Sequence, residues 1–215
     1  MFEPFEYKVI DNFLETQDLK IILNSLNPSE VNKISPNEVK IYKHFFKKGE
    51  IKNSSLTKEQ VKKLHEKYHS KCISILEELC KEKIKIYDYS EMDIVLTGKN
   101  YKFPIHSDSP NKLLSCVIYL DPSENNGTFL YKDSKGNGKF EIKWLKNRAL
   151  LFSRKENNTW HSYEGNNEST RIVLVYNLMT EQIKKVYEIE NKNYYFGIFK
   201  TKLSPYLYKY FKVTL

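Results

Sequence analysis

The feature that most constrains this fold is a change in the spacing of apolar residues near residue 84. Before that point apolar residues recur with the period of a helix, and after it they alternate with polar residues over short segments. The strands that this alternation predicts are residues 84–86, 94–96, 101–105, 112–120, 128–131, 140–144, 148–152 and 171–178. Short strands separated by turn signals are typical of an all-β sandwich or barrel.

The region before residue 84 predicts one or two strands and two helices. Residues 7–14 predict a short strand that leads into a turn, and Thr16 is the expected N-cap of a helix that ends at residues 27–29. Residues 39–42 predict a further strand, and a capping-box pattern at residues 57–60 predicts the start of a long helix. The apolar stripe of that helix comprises Val61, Leu64, Tyr68, Cys72, Ile75 and Leu79.

We therefore expect one domain over residues 1–215. Residues 1–83 are its N-terminal strand and helical support, residues 84–180 its β core, and residues 181–215 a C-terminal extension packed on that core. The extension interleaves lysine with aromatic residues, a pattern that suits single-stranded nucleic acid, a helix or strands packed outside the barrel, or a dimer surface. Its aromatic residues include Tyr187, Tyr194, Tyr195, Phe196, Phe199, Tyr206, Tyr208, Tyr210 and Phe211.

Composition narrows the class of protein. No run of about 18 apolar residues is present, so no membrane-spanning helix is expected. The first residues lack the layout of a signal peptide, and the three cysteines, Cys72, Cys80 and Cys116, favour the reducing cytoplasm. The net charge of +8 comes almost entirely from lysines spread along the chain. Such charge indicates a solvated surface, so a nucleic-acid partner is possible but not favoured.

Two side chains of the kind that bind metals, His106 and Asp108, follow the apolar segment 103–105. Residues two apart in an extended segment point the same way, so both lie on one face. His161 lies far downstream. Two histidines and one carboxylate on one face of an iron leave the opposite positions open for substrates and dioxygen. The alternative is that His106 and Asp108 hydrogen-bond each other while His161 lies on the surface.

The other histidines and one arginine are interpreted from their surroundings in the sequence. His44, His65 and His69 have no carboxylate at a convincing spacing, so we expect them to be packing or surface residues. The chain has only three arginines, and Arg171 precedes its most apolar run, residues 172–176. An arginine at that place indicates a need for the planar, two-pronged donor that binds a carboxylate.

Together these features resemble a known family. Residues 92–178 are similar to the iron(II)/2-oxoglutarate-dependent oxygenases, and among them to the prolyl-4-hydroxylase-like group. The matching features are His106-x-Asp108, the strand 116–121, the turn at Gly127, the run 147–152, His161 and Arg171. The resemblance implies a mainly β protein with flanking helices (α+β). In that fold a double-stranded β-helix, which is a cupin-like jelly roll, carries N-terminal helices packed on one side.

The resemblance also implies functional roles. His106, Asp108 and His161 would bind Fe(II), while Arg171 and the hydroxyl of Tyr119 would bind the distal carboxylate of 2-oxoglutarate. Dioxygen would be the co-substrate, succinate and carbon dioxide the co-products, and ascorbate a supporting reductant. The implied reaction is hydroxylation of an unactivated C–H in a prolyl or other protein residue, or in a small molecule. A carboxylate at position 108 favours hydroxylation over halogenation.

Two positions depart from the family pattern. Leu96 stands near the place of a tyrosine that many relatives have before the first ligand, and Val173 stands where many have a serine. The second departure makes Tyr119 the expected partner of Arg171. The alternatives to a hydroxylase of proteins or small molecules are a cupin-like module that binds a metal or ligand without catalysis, and an oxygenase that acts on nucleic acid. The sequence indicates neither the primary substrate nor the oligomeric state.

Overall fold

A computed structural model of the chain describes residues 3–200 and residue 203. The strands are β1 Lys8–Ile10, β2 Val39–Lys47, β3 Glu50–Lys52, β4 Tyr89–Thr97, β5 Lys102–His106, β6 Lys112–Asp121, β7 Thr128–Tyr131, β8 Phe140–Ile142, β9 Ala149–Phe152, β10 Trp160–Glu164 and β11 Arg171–Met179. The helices are α1 Thr16–Asn24, α2 Pro28–Lys33, α3 Lys58–Cys80 and α4 Ile183–Ile189, with a 3₁₀ helix at Lys81–Ile86. Residues 194–200 are also helical.

The strands form two antiparallel sheets. The large sheet has the order β1-β9-β6-β11-β4-β2-β3, and the small sheet has the order β5-β10-β7-β8. This arrangement is a double-stranded β-helix flanked by helices, as predicted. The N-terminal part of the chain contributes strands as well as helices, because β1 pairs with β9 and β2 pairs with β4.

The two faces of the large sheet pack against different partners. On β11, Ile172 and Leu174 belong to the main core cluster, which also contains residues of α3. Val173, which points the other way, belongs to a second cluster with Leu130 and Ile142 of the small sheet. Burying one such side chain contributes about 1.5 to 3 kcal/mol. Alternate residues of β11 therefore pack against the helices on one face of the large sheet. The residues between them face the small sheet and line the space between the two sheets.

The histidines outside the predicted metal site are packing residues, as expected. The capping box at Thr57 and Gln60 starts α3 as predicted, and α3 brings His65 into the core. His65 Nδ1 lies 2.9 Å from the hydroxyl of Tyr176. His44 Nδ1 lies 2.8 Å from the carbonyl oxygen of Met92. Both rings are buried and engaged with neighbouring polar groups.

Three local predictions were wrong. Residues 84–86 form a 3₁₀ helix instead of a strand, because a single pair of isoleucines two apart is also buried by a tight turn after α3. Thr16 is the first helical residue and Glu15 the N-cap. Pro28 begins α2 instead of following the end of α1, since proline suits the first turn of a helix.

The described part of the C-terminal extension is helical. Helix α4 and residues 194–200 lie within it, and Tyr195, Phe196 and Phe199 are exposed. The aromatic positions Tyr206, Tyr208, Tyr210 and Phe211 lie outside the described residues. Cys72, Cys80 and Cys116 are free thiols. Among the helices that the structure describes, none combines the length and the apolar character needed to cross a bilayer.

Candidate metal centre

The small sheet brings the two predicted histidine ligands together. His106 is the last residue of β5, and it lies directly opposite His161 of β10 in the antiparallel register. Side chains opposite each other on paired strands are neighbours, and the two ring centroids lie 4.2 Å apart. Asp108 follows in the loop to β6, with Oδ2 4.0 Å from His161 Nε2. One ligand atom from each of the three residues lies within 4.8 Å of the others.

Both imidazoles are oriented for metal binding. The Nδ1 of His106 donates to the carbonyl oxygen of Pro104 at 3.0 Å, and the Nδ1 of His161 donates to that of Thr159 at 3.0 Å. These bonds leave each Nε2 lone pair free for a cation. Burial, together with the neighbouring His161, lowers the pKa of His106 to about 3. Burial also lowers the pKa of His161, so both rings are neutral at pH 7, as ligands must be.

The third candidate ligand, Asp108, is held by three neighbours. The ammonium of Lys112 lies 2.7 Å from Oδ1, and Ser115 Oγ donates to Oδ2 at 2.5 Å. Arg154 Nε donates to the backbone carbonyl of Asp108 at 3.1 Å. Burial alone would raise the pKa of Asp108, but the charge of Lys112 and its hydrogen bond to the carboxylate oppose that effect, and the pKa lies well below its ordinary value. The carboxylate is therefore ionised and fixed in position.

Arg171 is buried and only partly satisfied. Arg171 is only 1% exposed, and its Nε and Nη2 have no hydrogen-bond partner. The guanidinium carbon lies 4.8 Å from the ring centroid of Tyr163, 5.3 Å from that of Trp144 and 5.6 Å from that of Tyr119. Burial lowers the pKa of Arg171, yet an arginine stays charged in proteins. A buried cation with unpaired N–H groups is chemically suited to an anionic partner.

Tyr119 lies beside Arg171, but its hydroxyl is engaged elsewhere. That hydroxyl donates to Thr128 Oγ1 at 2.9 Å, and burial raises the pKa of Tyr119. Thr128 lines the same cavity as Arg171. A direct bond from Tyr119 to 2-oxoglutarate stays a prediction. Thr128, which accepts from Tyr119 and lines the cavity, is a residue that the sequence did not suggest.

One cavity of about 420 Å³ is lined by the three candidate ligands and by Arg171. Val173 also lines it, beside Arg171. Leu96 does not, because it faces the helices within the main core, and Val95 takes the place on the cavity side of β4. Trp160, which adjoins His161 in sequence, packs with Phe129 and Tyr131 in a separate cluster, since successive residues of a strand point to opposite faces.

Several cavity residues were missed by the sequence analysis. Five of them lie on β4, β6 and β11 of the large sheet, and the sixth begins β7 of the small sheet. Strand alternation is a signal that connects only the one on β11 with Arg171. Asn177, six residues along β11 from Arg171, points to the same face. The missed residues are Glu91, Asp93, Lys112, Ser115, Thr128 and Asn177.

Asp93 is a half-buried carboxylate whose pKa is raised to about 6, mainly by burial and next by the charge of Glu91. Because this folded-state pKa lies above the unfolded value of 3.8, the ionised carboxylate disfavours the fold above pH 6. We expect Asp93→Asn to raise the free energy of unfolding by up to about 3 kcal/mol at pH 7.5. The gain should disappear as the pH falls through 6 to below 4. Urea unfolding at several pH values measures it, and a pH-independent difference would contradict the assignment.

Comparisons with solved structures show the same fold. A prolyl hydroxylase of Trichoplax adhaerens, in complex with a peptide fragment of the hypoxia inducible factor oxygen degradation domain, superposes with a TM-score of 0.55 and 16% identity over 84% of this chain and 86% of that chain. The chain has the fold of the 2-oxoglutarate oxygenases. A Pseudomonas putida prolyl-4-hydroxylase gives a TM-score of 0.55 and 12% identity, over 81% of this chain and 92% of its own.

A plant enzyme with this fold matches as well. The dioxygenase for auxin oxidation 1 from Arabidopsis thaliana, in a binary complex with 2-oxoglutarate, gives a TM-score of 0.59 and 13% identity, over 84% of this chain and 85% of its own. No protein-family model and no curated protein matches the sequence. The chain is therefore similar to 2-oxoglutarate oxygenases in its fold.

Proposed function

We propose that the protein is an Fe(II)- and 2-oxoglutarate-dependent dioxygenase that hydroxylates an unactivated C–H. The observation that carries this proposal is the pairing, in one cavity, of a His106–Asp108–His161 cluster with the unsatisfied guanidinium of Arg171. The donor set suits iron with positions left open. Iron and 2-oxoglutarate, when bound, would supply the activation of dioxygen, with succinate and carbon dioxide as co-products.

The protein's own residues would bind and orient these groups. His106, Asp108 and His161 hold the metal from one side. Arg171 binds the distal carboxylate of 2-oxoglutarate through its two unpaired nitrogens, Nε and Nη2, and the hydroxyls of Thr128 and Tyr119 support that carboxylate. Ascorbate would keep the iron reduced.

The substrate is a residue of a protein or a small molecule. The peptide bound in the Trichoplax prolyl hydroxylase supports a prolyl or other protein residue, and the auxin dioxygenases support a small molecule. The three free thiols fit a cytoplasmic enzyme.

We expect His161→Ala to abolish succinate release in a reaction with Fe(II), ascorbate, dioxygen and 2-oxoglutarate. Calorimetry supplies a second measurement, because the variant should also lose binding of 2-oxoglutarate to the Mn(II)-loaded protein in the absence of oxygen. The control is His69→Gln, which changes a histidine outside the cavity and should keep both properties. Failure of the wild type to bind 2-oxoglutarate in the presence of metal would refute the proposed function.

A further inference from the structure

Two carboxylates and one carboxamide lie together on the wall of the cavity. Glu91 and Asp93 are on β4, and Asn177 is on β11. Glu91 lies opposite Asn177 in the register of these strands, with Asp93 two residues away on the same face. Asn177 also lies opposite Ser115 of β6, which donates a hydrogen bond to Asp108. This acceptor wall, Glu91, Asp93 and Asn177, therefore begins one strand away from the residue that orients a candidate metal ligand.

The acceptor wall is unsatisfied within the described residues. Asn177 is 1% exposed, and its Oδ1 has no hydrogen-bond partner. Among the described residues, no hydrogen bond or ion pair involves the carboxylates of Asp93 and Glu91. Lys43, opposite Asp93 on β2, also lines the cavity, and its charge and that of Lys112 partly offset the effect of burial on Asp93. The Lys43 side chain is nevertheless exposed and forms no ion pair with Asp93. Lys112 is engaged with the candidate metal ligand.

The chemistry of these three groups selects the charge of a ligand. Carboxylate oxygens and an amide oxygen only accept hydrogen bonds. A half-buried acceptor without a donor costs free energy, and a charged donor satisfies it best. An ammonium or a guanidinium offers several N–H groups and a positive charge, whereas an anionic ligand would be repelled by both carboxylates.

The acceptor wall and Arg171 lie at different ends of the cavity. Asn177 is six residues from Arg171 along β11, which corresponds to about 20 Å in an extended strand. An anion held by Arg171 therefore does not reach Asn177. The space beside the acceptor wall is left for a second molecule, next to the metal ligands.

We propose that the primary substrate presents a cationic nitrogen group, an ammonium or a guanidinium, to Asp93, Glu91 and Asn177, so that a C–H near that group lies at the metal. This inference rests on the proposed function and specifies its substrate class. The cationic group belongs either to a lysine or arginine side chain of a protein or to a free small molecule.

The test measures binding directly. Protein loaded with Mn(II) and 2-oxoglutarate is titrated, without oxygen, with the N-acetyl amides of arginine and lysine and with capped glycine pentapeptides that contain one of them. The same molecules built with citrulline or norleucine are the neutral counterparts. Binding confined to the pentapeptides identifies a protein substrate, and equal binding of the amides identifies a small molecule. The variants are Asp93→Asn and Glu91→Gln, with the exposed Glu188→Gln as control.

We expect the cationic probes to bind at least tenfold more tightly than their neutral counterparts. Asp93→Asn and Glu91→Gln should each reduce that preference severalfold, while Glu188→Gln should leave it unchanged. With Fe(II) and oxygen, cationic probes should also increase succinate release. Equal binding of cationic and neutral probes, no binding of either, or an unchanged preference in Asp93→Asn would overturn the inference. Binding of 2-oxoglutarate to the Mn(II)-loaded wild type is measured first, so that a failure of the proposed function is recognised separately.

Discussion

Replacing Glu190 with alanine is expected to lower the free energy of unfolding by about 3 to 5 kcal/mol. The Glu190 carboxylate accepts from Lys83 Nζ at 2.8 Å and from Arg154 Nη1 at 2.6 Å. The side chains of Lys83, Glu190 and Arg154 are only 2%, 2% and 1% exposed. Burial already lowers the pKa of Lys83, and Glu190 opposes that shift. Without Glu190, the buried Lys83 loses its carboxylate partner, and Arg154 keeps only its pairing with Glu156 among the described residues.

The same change should weaken metal binding. Arg154 donates to the backbone carbonyl of Asp108, so the position of Arg154 affects the loop that carries a candidate ligand. Neighbours of this kind alter metal affinity by about 10- to 100-fold, and we expect a loss near the lower limit.

Urea unfolding and Mn(II) titration measure these two effects. Glu188→Ala, at an exposed position in α4 two residues before Glu190, which caps that helix, is the matched control and should change stability by less than about 0.5 kcal/mol. Glu190→Gln, which keeps the acceptor oxygen but loses the charge, should fall between the wild type and Glu190→Ala. A loss below about 1 kcal/mol in Glu190→Ala would show that the cluster contributes little.

The candidate metal site could be predicted from the sequence because its signals are local or depend on strand alternation. His106 and Asp108 are two residues apart in an extended segment, and Arg171 begins a strand whose apolar character is evident. Once alternation predicts a jelly roll, His161 is expected on a neighbouring strand. These predictions require knowing which face of its strand each residue lies on. They do not require knowing which strands pair with each other across the sheet.

The acceptor wall could not be predicted in this way, because it depends on the register between β4 and β11. Those strands are far apart in sequence, and a shift of one residue would turn Asp93 away from the cavity. Leu96 illustrates the point, since it faces the helices while its neighbour Val95 faces the cavity. The direction of the Tyr119 hydroxyl toward Thr128 depends on the position of β7 in the other sheet.

Arg171→Met is expected to abolish binding of 2-oxoglutarate without lowering the stability of the ligand-free protein. A buried charge carries a desolvation penalty of several kcal/mol, and Nε and Nη2 of Arg171 have no hydrogen-bond partner. Cation–π contacts with Tyr163, Trp144 and Tyr119, worth about 0.5 to 2 kcal/mol, offset only part of that penalty. Methionine fills a similar volume without the charge, so we expect a gain of about 1 kcal/mol or more in the ligand-free state.

The stabilisation that 2-oxoglutarate gives on binding should be present in the wild type and absent in Arg171→Met. In the Mn(II)-loaded wild type, 2-oxoglutarate at 100 times its Kd should raise the free energy of unfolding by about 2.7 kcal/mol. In Arg171→Met the same concentration should give no measurable increase, because no other described cation replaces the buried guanidinium at that end of the cavity. Arg148→Met, which removes an arginine paired with Asp11 near the surface, should keep the full increase.

The ligand-free measurement decides between an anchor for a cofactor and a structural arginine. If Arg171 were held for the sake of the fold, its contacts with the three aromatic rings would outweigh its desolvation. Arg171→Met would then lose several kcal/mol in the absence of 2-oxoglutarate. If the arginine destabilises the ligand-free protein, it is retained for a function and not for the fold. An anionic ligand that neutralises its charge on binding is that function. A stabilised variant that no longer responds to 2-oxoglutarate would therefore assign the arginine to that ligand.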